Sequence, residues 1–141
     1  LAVFDANAAE AIMAQENEVE EWYLAGHSLG GVMASSFAAD QSDEVAGLIF
    51  LASYPSGDLT DAPFPVLSIY GSEDEVLNRE SYGAAQVKLP DDYTEIVLEG
   101  GNHGQFGDYG TQSGDGTATI ATVQQQQQTV EAITTFIEKN R

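Results

Sequence analysis

A serine flanked by glycines, at Gly26-His27-Ser28-Leu29-Gly30, is the first feature of the sequence that could do chemistry. An apolar run precedes it and a stretch of small residues follows it, which predicts a sharp strand-to-helix turn that exposes Ser28 Oγ at the end of a sheet. In such a turn a side chain at Gly26 or Gly30 is expected to collide with backbone. The N–H of Leu29, at the helix N-terminus, would then face a developing oxyanion.

A serine hydroxyl is a weak nucleophile, so it needs a base within hydrogen-bond reach. The chain has two histidines, His27 and His103. We take His27 as structural because it should point away from the serine on the turn, whereas His103 lies in a Gly-rich loop after the last predicted strand. Besides the serine and the base, a third residue should orient the imidazole, and it should be a carboxylate in a loop after an intermediate strand. Asp74 is our choice, with Glu73 and Glu75 as alternatives, and its task would be to fix the imidazole tautomer.

The strands that should position these residues are apolar runs, and helical patterns alternate with them. The predicted strands are 21–26, 45–52, 65–71 and 93–98, and the predicted helices are 4–18, 28–39, 79–87 and 120–140. This alternation predicts an α/β domain over residues 1–141, with a parallel sheet covered by helices on both faces and the last strand nearer an edge. Active sites in such sheets lie at the carboxyl ends of strands, where all three residues fall.

The last helix contains a run of glutamines, 124–128, between apolar residues at helical spacing. We predict that the glutamines form a solvent-facing polar surface. The buried face is then expected to carry four apolar residues: Val123, Val130, Ile133 and Ile137. At the other end of the chain, Phe4 is expected on the apolar face of the first helix.

Acidic residues dominate the charge, with 23 Asp and Glu against 4 Lys and Arg, for a net charge of −19. Such a field repels phosphate backbones and anionic membranes, so nucleic-acid binding is excluded. The acids are scattered, which fits either a solvated surface or adaptation to high salt. No apolar run is long enough for a membrane span. The absence of cysteine excludes a thiolate nucleophile and leaves the compartment open, with the cytoplasm slightly favoured.

Other residues allow competing interpretations. Tyr54, after the second strand, could line an acyl pocket or simply pack. Trp22 and Tyr23 are predicted to be core residues. Asp108 and Asp115 could ligate Ca²⁺, but their spacing is irregular, and a solvated or substrate-lining loop is favoured. A nucleotide phosphate site at 26–31 is disfavoured because it lacks the lysine and the glycine spacing of such loops.

The sequence resembles the α/β-hydrolase superfamily, and within it the branch of dienelactone hydrolases and small esterases. The resemblance rests on segments 26–31, 71–74 and 99–110, of which the third points to that branch, and it covers essentially the whole chain. It implies a carboxylic-ester hydrolase that acts on a small molecule without cofactor or metal. Lactone, thioester or amide hydrolysis stays open, as does a non-catalytic binding module.

The sequence departs from this family in its length. Members have about eight strands, and the four predicted here match the last four, so the upstream loop that supplies a second oxyanion N–H is missing. One such donor is worth about 3 kcal/mol of transition-state stabilisation. Since the chain opens at Leu1, we expect it to be N-terminally incomplete, or to pair with a second copy through the open edge of the first strand. This segment alone could be inactive.

Overall fold

The structure is a computed structural model that describes residues 8–141. Its elements are α1 (Ala8–Gln15), β1 (Trp22–His27), α2 (Leu29–Asp40), β2 (Val45–Leu51), β3 (Val66–Gly71), α3 (Arg79–Ala84), β4 (Tyr93–Leu98) and α4 (Thr122–Lys139). Short 3₁₀ turns lie at Ser42–Glu44, Ala85–Lys88 and Gly104–Phe106. Each element agrees with a predicted one, although the predicted helix at 79–87 divides into α3 and a 3₁₀ turn. Phe4 lies outside the described residues.

The four strands form one parallel sheet in the order β1-β2-β3-β4. Each strand pairs with the next one along the chain, so every crossover moves one step in the same direction. Because such crossovers are right-handed, the segments between strands cover one face of the sheet. The register pairs His27 with Leu51 and Gly71 with Leu98, so the carboxyl ends of all the strands meet at one rim.

Two hydrophobic clusters lie on opposite faces of the sheet, as the alternation of strands and helices predicted. Leu48 and Phe50 of β2 face α2 and pack with Ala38. Ile49 of the same strand faces the other way, in the cluster that contains Phe136 of α4. Residues of β2 and β3 therefore meet apolar surroundings on both faces, which explains their uninterrupted apolar sequences.

The two outer strands are only partly covered. β4 occupies one edge, as predicted, and β1 occupies the other. Within residues 8–141, the outer side of β1 has no strand partner. Tyr23 of β1 packs edge-on against Phe136, with ring centroids 6.1 Å apart, as expected for a core residue. Also within the described range, no helix is both long and apolar enough to cross a bilayer.

The buried face of α4 differs from the prediction. Val123 and Val130 are 74% and 61% exposed. Gln125 and Thr129 are buried in their place, and Gln125 is completely inaccessible to solvent. The first turns of α4 lie against a polar loop instead of the sheet, so they present amide and hydroxyl groups to that loop. The interpretation of the whole glutamine run as a solvated face is therefore wrong at Gln125.

Candidate active site

Ser28 occupies the sharp turn between β1 and α2. Its backbone has φ 56° and ψ −125°, a conformation that residues other than glycine rarely adopt. Such a conformation costs on the order of 1–3 kcal/mol and persists only where the surroundings enforce it. Ser28 N–H donates to Leu51 O at 3.0 Å, and Ser28 O accepts from Gly31 N at 3.0 Å. The turn is therefore fixed to the end of β2 on one side and to α2 on the other.

The glycines of the motif are not equivalent. A Cβ added at Gly26 would lie 2.4 Å from the carbonyl carbon of Gly30, so no larger residue fits there. A Cβ at Gly30 would meet nothing within 4 Å, so the predicted collision at Gly30 is wrong. At Gly31 an added Cβ would lie 2.4 Å from Ser53 Oγ, because the helix approaches the end of β2 closely.

Ser53 is a supporting residue that the sequence did not reveal. Its hydroxyl donates to Ser28 O at 2.6 Å, and its side chain is buried. It follows Ala52, which has φ 51° and is the other non-glycine residue with a positive φ in the described part of the chain. Two strained positions, Ser28 and Ala52, thus sit side by side at the rim. Such clustering is typical of functional sites.

Asp74 and His103 come together in a buried pair. His103 Nδ1 lies 2.8 Å from Asp74 Oδ2, and the two residues are 1% and 3% exposed. Because a carboxylate can only accept, Nδ1 of the neutral imidazole carries the proton and Nε2 carries the lone pair. The pair leaves His103 poised to accept a proton at Nε2.

Hydrogen bonds keep Asp74 ionised despite its burial. Burial opposes the charge, but His103 and the N–H groups of Leu77 and Val76 outweigh it, so the pKa of Asp74 lies below its ordinary value. Asp74 Oδ1 accepts from the Leu77 N–H at 2.8 Å and from the Val76 N–H at 2.9 Å. Its other oxygen remains for the imidazole. Glu73 and Glu75, the alternative acids, are exposed to solvent.

The loops that carry Asp74 and His103 are packed backbone to backbone. A Cβ at Gly71 would lie 2.3 Å from the carbonyl carbon of Gly101, so this approach requires glycine. Glu73 N–H donates to Gly101 O at 2.8 Å, and Gly100 N–H donates to Ser72 Oγ at 2.8 Å. The separation of acid and base is therefore set by main-chain contacts between the ends of β3 and β4.

A cavity of about 230 Å³ is lined by both Ser28 and His103. Leu29 and Tyr54 also line it, with apolar side chains that include Val32 and Leu77. His103 Nε2 is buried and has no hydrogen-bond partner among residues 8–141, so the Ser28 hydroxyl does not yet bond to it. Catalytic hydrogen bonds are often long or unformed before substrate binds.

Comparison with known proteins identifies the fold family. The model of the alpha/beta hydrolase family matches residues 1–128. The chain belongs to this family. The match concerns the family as a whole, and the closer resemblance to dienelactone hydrolases stays a prediction. No match was found among the curated proteins.

Several solved structures share this α/β-hydrolase fold. An α/β serine hydrolase homologue from Coxiella burnetii is 26% identical with a TM-score of 0.58, over 72% of this chain and 51% of that one. An α/β hydrolase enzyme from a lagoon-sediment metagenome is 18% identical with a TM-score of 0.62, over 74% of this chain and 62% of that one. A thermophilic esterase from Thermogutta terrifontis is 14% identical with a TM-score of 0.71, over 95% of this chain and 71% of that one. The chain thus spans 51–71% of the length of these hydrolases.

His27 packs on the imidazole of His103. The two imidazole centroids lie 4.6 Å apart, and His27 Nε2–H donates to His103 O at 2.9 Å. The Tyr109 hydroxyl donates to His27 Nδ1 at 2.5 Å. Burial, followed by the proximity of His103, lowers the pKa of His27, so its ring stays neutral. His27 is thus a structural support, as predicted, and Tyr109 is a partner that the sequence did not indicate.

Gln125 holds the segment around His103 through both ends of its amide. Its Oε1 accepts from Asn102 N–H at 3.1 Å and from Gln105 Nε2 at 2.9 Å. Its Nε2 donates to Asn102 O at 2.8 Å. All of these groups lie next to His103 in the sequence. A buried network with satisfied partners rigidifies the backbone that it contacts.

Replacing Gln125 by leucine should destabilise the protein by about 3 kcal/mol, because it leaves the N–H and the carbonyl of Asn102 without partners beside a buried side chain. Urea denaturation followed by circular dichroism measures the change. Gln127→Leu, at an exposed position of the same helix, is the control and should change stability little. Equal effects of the two substitutions would contradict the network.

Asp108 and Asp115, the residues considered for Ca²⁺, do not gather into a metal site. Within residues 8–141 no group of three or more histidine, aspartate or glutamate side chains could hold a metal ion. Asp108 is exposed, whereas Asp115 accepts hydrogen bonds from backbone N–H groups. The favoured interpretation, a solvated loop, therefore describes Asp108 better than Asp115.

Proposed function

We propose that this protein is a serine hydrolase that cleaves carboxylic esters through an acyl-enzyme on Ser28. The observation that supports it best is the buried His103–Asp74 pair, because His103 Nε2 has no hydrogen-bond partner among residues 8–141 and His103 lines the same cavity as Ser28. The strained turn at Ser28 supports it independently. The α/β-hydrolase fold is compatible with this chemistry and does not specify the ester.

In the first step, Ser28 Oγ attacks the ester carbonyl while His103 Nε2 takes the hydroxyl proton. Asp74 stabilises the imidazolium that forms and stays ionised throughout. The tetrahedral intermediate collapses when the leaving alcohol takes the proton from His103. Water, which gives a proton to the same nitrogen, then attacks the acyl carbonyl, and the acid is released as Ser28 Oγ takes that proton back.

The N–H of Leu29 is the proposed oxyanion donor. It belongs to the first turn of α2, whose N–H groups have no partner within the helix, and it lies directly after the nucleophile. Loss of a single oxyanion donor slows turnover about 10²–10³-fold. A test of the proposal should therefore detect the nucleophile itself and not only steady-state turnover.

The proposed substrate is a small, uncharged ester. The cavity is small and lined by Tyr54 and aliphatic side chains, which fits a short apolar acyl group. The net charge of −19 disfavours polyanionic substrates. Lactones, thioesters and amides would use the same groups, and a panel of short-chain substrates distinguishes them.

A fluorophosphonate probe tests this function directly. Its phosphorus accepts a covalent bond from an activated serine, so mass spectrometry of the intact protein should show one added probe. Ser28→Ala should abolish the addition. Unchanged labelling of the Ser28→Ala protein would remove the assignment, and no labelling of the wild-type chain would favour a non-catalytic binding module.

Ser53→Ala is the matched control, because Ser53 lines the same cavity but donates its hydroxyl proton to Ser28 O. We expect the Ser53→Ala protein still to be labelled, at a lower rate because the turn loses a support. Complete loss of labelling in this variant alone would identify Ser53 as the nucleophile instead.

A further inference from the structure

The main chain of His103 is held from both sides by side chains distant in the sequence. On one side, His27 donates to its carbonyl. On the other, Asp115 Oδ1 accepts from His103 N–H at 3.2 Å, and Asp115 Oδ2 accepts from Gly104 N–H at 2.8 Å. The second oxygen therefore fixes the next peptide as well.

These contacts matter because the surrounding segment has little regular structure of its own. Between β4 and α4 the chain forms one short 3₁₀ turn, Gly104–Phe106, and otherwise runs without helix or strand. Asp74 fixes the orientation of the imidazole ring, but it does not fix the backbone of His103. An unsupported peptide there would let Nε2 move relative to Ser28.

Asp115 is itself held in place. Its N–H donates to Gln112 O at 3.2 Å, and its Oδ1 accepts from Gly116 N–H at 2.8 Å. It follows Gly114, which has φ 82° and so turns the chain back toward His103. Gly116 then passes close to the loop of Asp74, because a Cβ there would overlap Glu73 O. The adjacent residues Asp115 and Gly116 thus link the loop of Asp74 to the loop of His103.

We infer that Asp115 is a positioning residue for His103, which acts by accepting the backbone N–H groups of residues 103 and 104. This inference rests on the proposed function for its kinetic consequences. Its structural consequence, the fixed imidazole, can be tested without any catalytic assumption. A carboxylate suits the task because both of its oxygens accept, whereas the amide of asparagine would turn its NH₂ group toward one of the two N–H donors.

The first measurement is the rate at which the fluorophosphonate probe labels Ser28. Asp115→Asn should slow labelling by about 10²-fold, the usual cost of a small misplacement at a reacting centre. Asp108→Asn is the matched control, since it removes the same charge from the same loop at an exposed position. Equal slowing in the two variants would assign the effect to loop charge and overturn the inference.

The second measurement is proton exchange at His103 Nδ1, followed by NMR on protein with ¹⁵N-labelled histidine. The chain has two histidines, so His27→Gln assigns both signals. Asp115→Asn should speed exchange of this proton, while Asp108→Asn should leave it unchanged. This readout does not require Ser28 to be a nucleophile, so a failed labelling experiment with altered exchange would contradict the function but support the positioning.

If the His103 Nδ1 proton exchanges in the Asp115→Asn protein at the wild-type rate, the inference that Asp115 positions His103 is overturned. Asp115→Ser, which keeps a small acceptor, is the second variant should the asparagine protein lose its fold. Unfolding of both variants at 25 °C would also contradict the inference, because contacts between loops at the rim are not expected to determine the fold.

Discussion

If the proposed function holds, replacing His103 by alanine should lower kcat for a short uncharged ester by about 10⁶-fold, the effect of removing the base from a well-characterised serine hydrolase. The reason is that His103, whose Nε2 has no hydrogen-bond partner within residues 8–141, lines the Ser28 cavity, whereas the neutral ring of His27 has both nitrogens engaged. His27 therefore cannot replace the lost base. Stopped-flow or burst measurements with a p-nitrophenyl ester give the rate.

Imidazole added to the His103→Ala protein provides the sharper control. The substitution empties a buried site beside Asp74, and free imidazole that enters it should restore part of the activity. The same addition should leave a Ser28→Ala protein inactive, because no nucleophile remains. Wild-type rates in the His103→Ala protein, or rescue of both variants alike, would contradict the assigned base.

The central strands could be predicted almost residue by residue. The expected strand at 45–52 is observed as Val45–Leu51, and the one at 65–71 as Val66–Gly71. Strands buried on both faces need an apolar side chain at nearly every position, and this requirement is written directly in the sequence. Glycine or polar residues follow each of these apolar runs, and this change in composition indicated where each strand ends.

The helix α4 shows where periodicity fails. The spacing of Val123 and Val130 is helical, yet both are exposed, and Gln125 is buried between them. Apolar periodicity measures preference for an apolar neighbour, but the neighbour of this end of the helix is a polar backbone segment. The partner of Gln125 is 23 residues away and leaves no periodic signal.

The residues of the candidate site also differ in how well the sequence predicts them. Ser28, Asp74 and His103 could be proposed from the sequence because each follows a predicted strand, and the carboxyl ends of parallel strands must meet. Asp115 and Tyr109 could not, because they reach the site through an irregular loop whose path depends on tertiary contacts. One signal was available: the Gly-rich segment at 100–104 carries several backbone donors, and buried donors require an acceptor nearby.

Replacing Asp74 by asparagine should lower kcat by about 10⁴-fold while leaving the fold intact. An asparagine NH₂ placed where Asp74 Oδ2 now lies would donate to His103 Nδ1, which moves the imidazole proton to Nε2. The nitrogen that is proposed to take the Ser28 proton would then be a donor instead of a base. The same ester assay measures the loss, and Glu73→Gln and Glu75→Gln, which alter exposed acids of the same loop, should keep wild-type rates.

The Asp74→Asn protein should also respond differently to acid. Folding lowers the pKa of Asp74, so ionised Asp74 stabilises the wild-type protein above its unfolded pKa of about 3.9, and this contribution disappears as the pH falls through the folded pKa. Asparagine does not titrate, so the free energy of unfolding of the variant should fall less steeply from pH 5 downward. Urea denaturation at a series of pH values gives both curves. Parallel curves for wild type and variant would mean that Asp74 is not held ionised by His103 and the backbone N–H groups, and the proposed pair would lose its electrostatic basis.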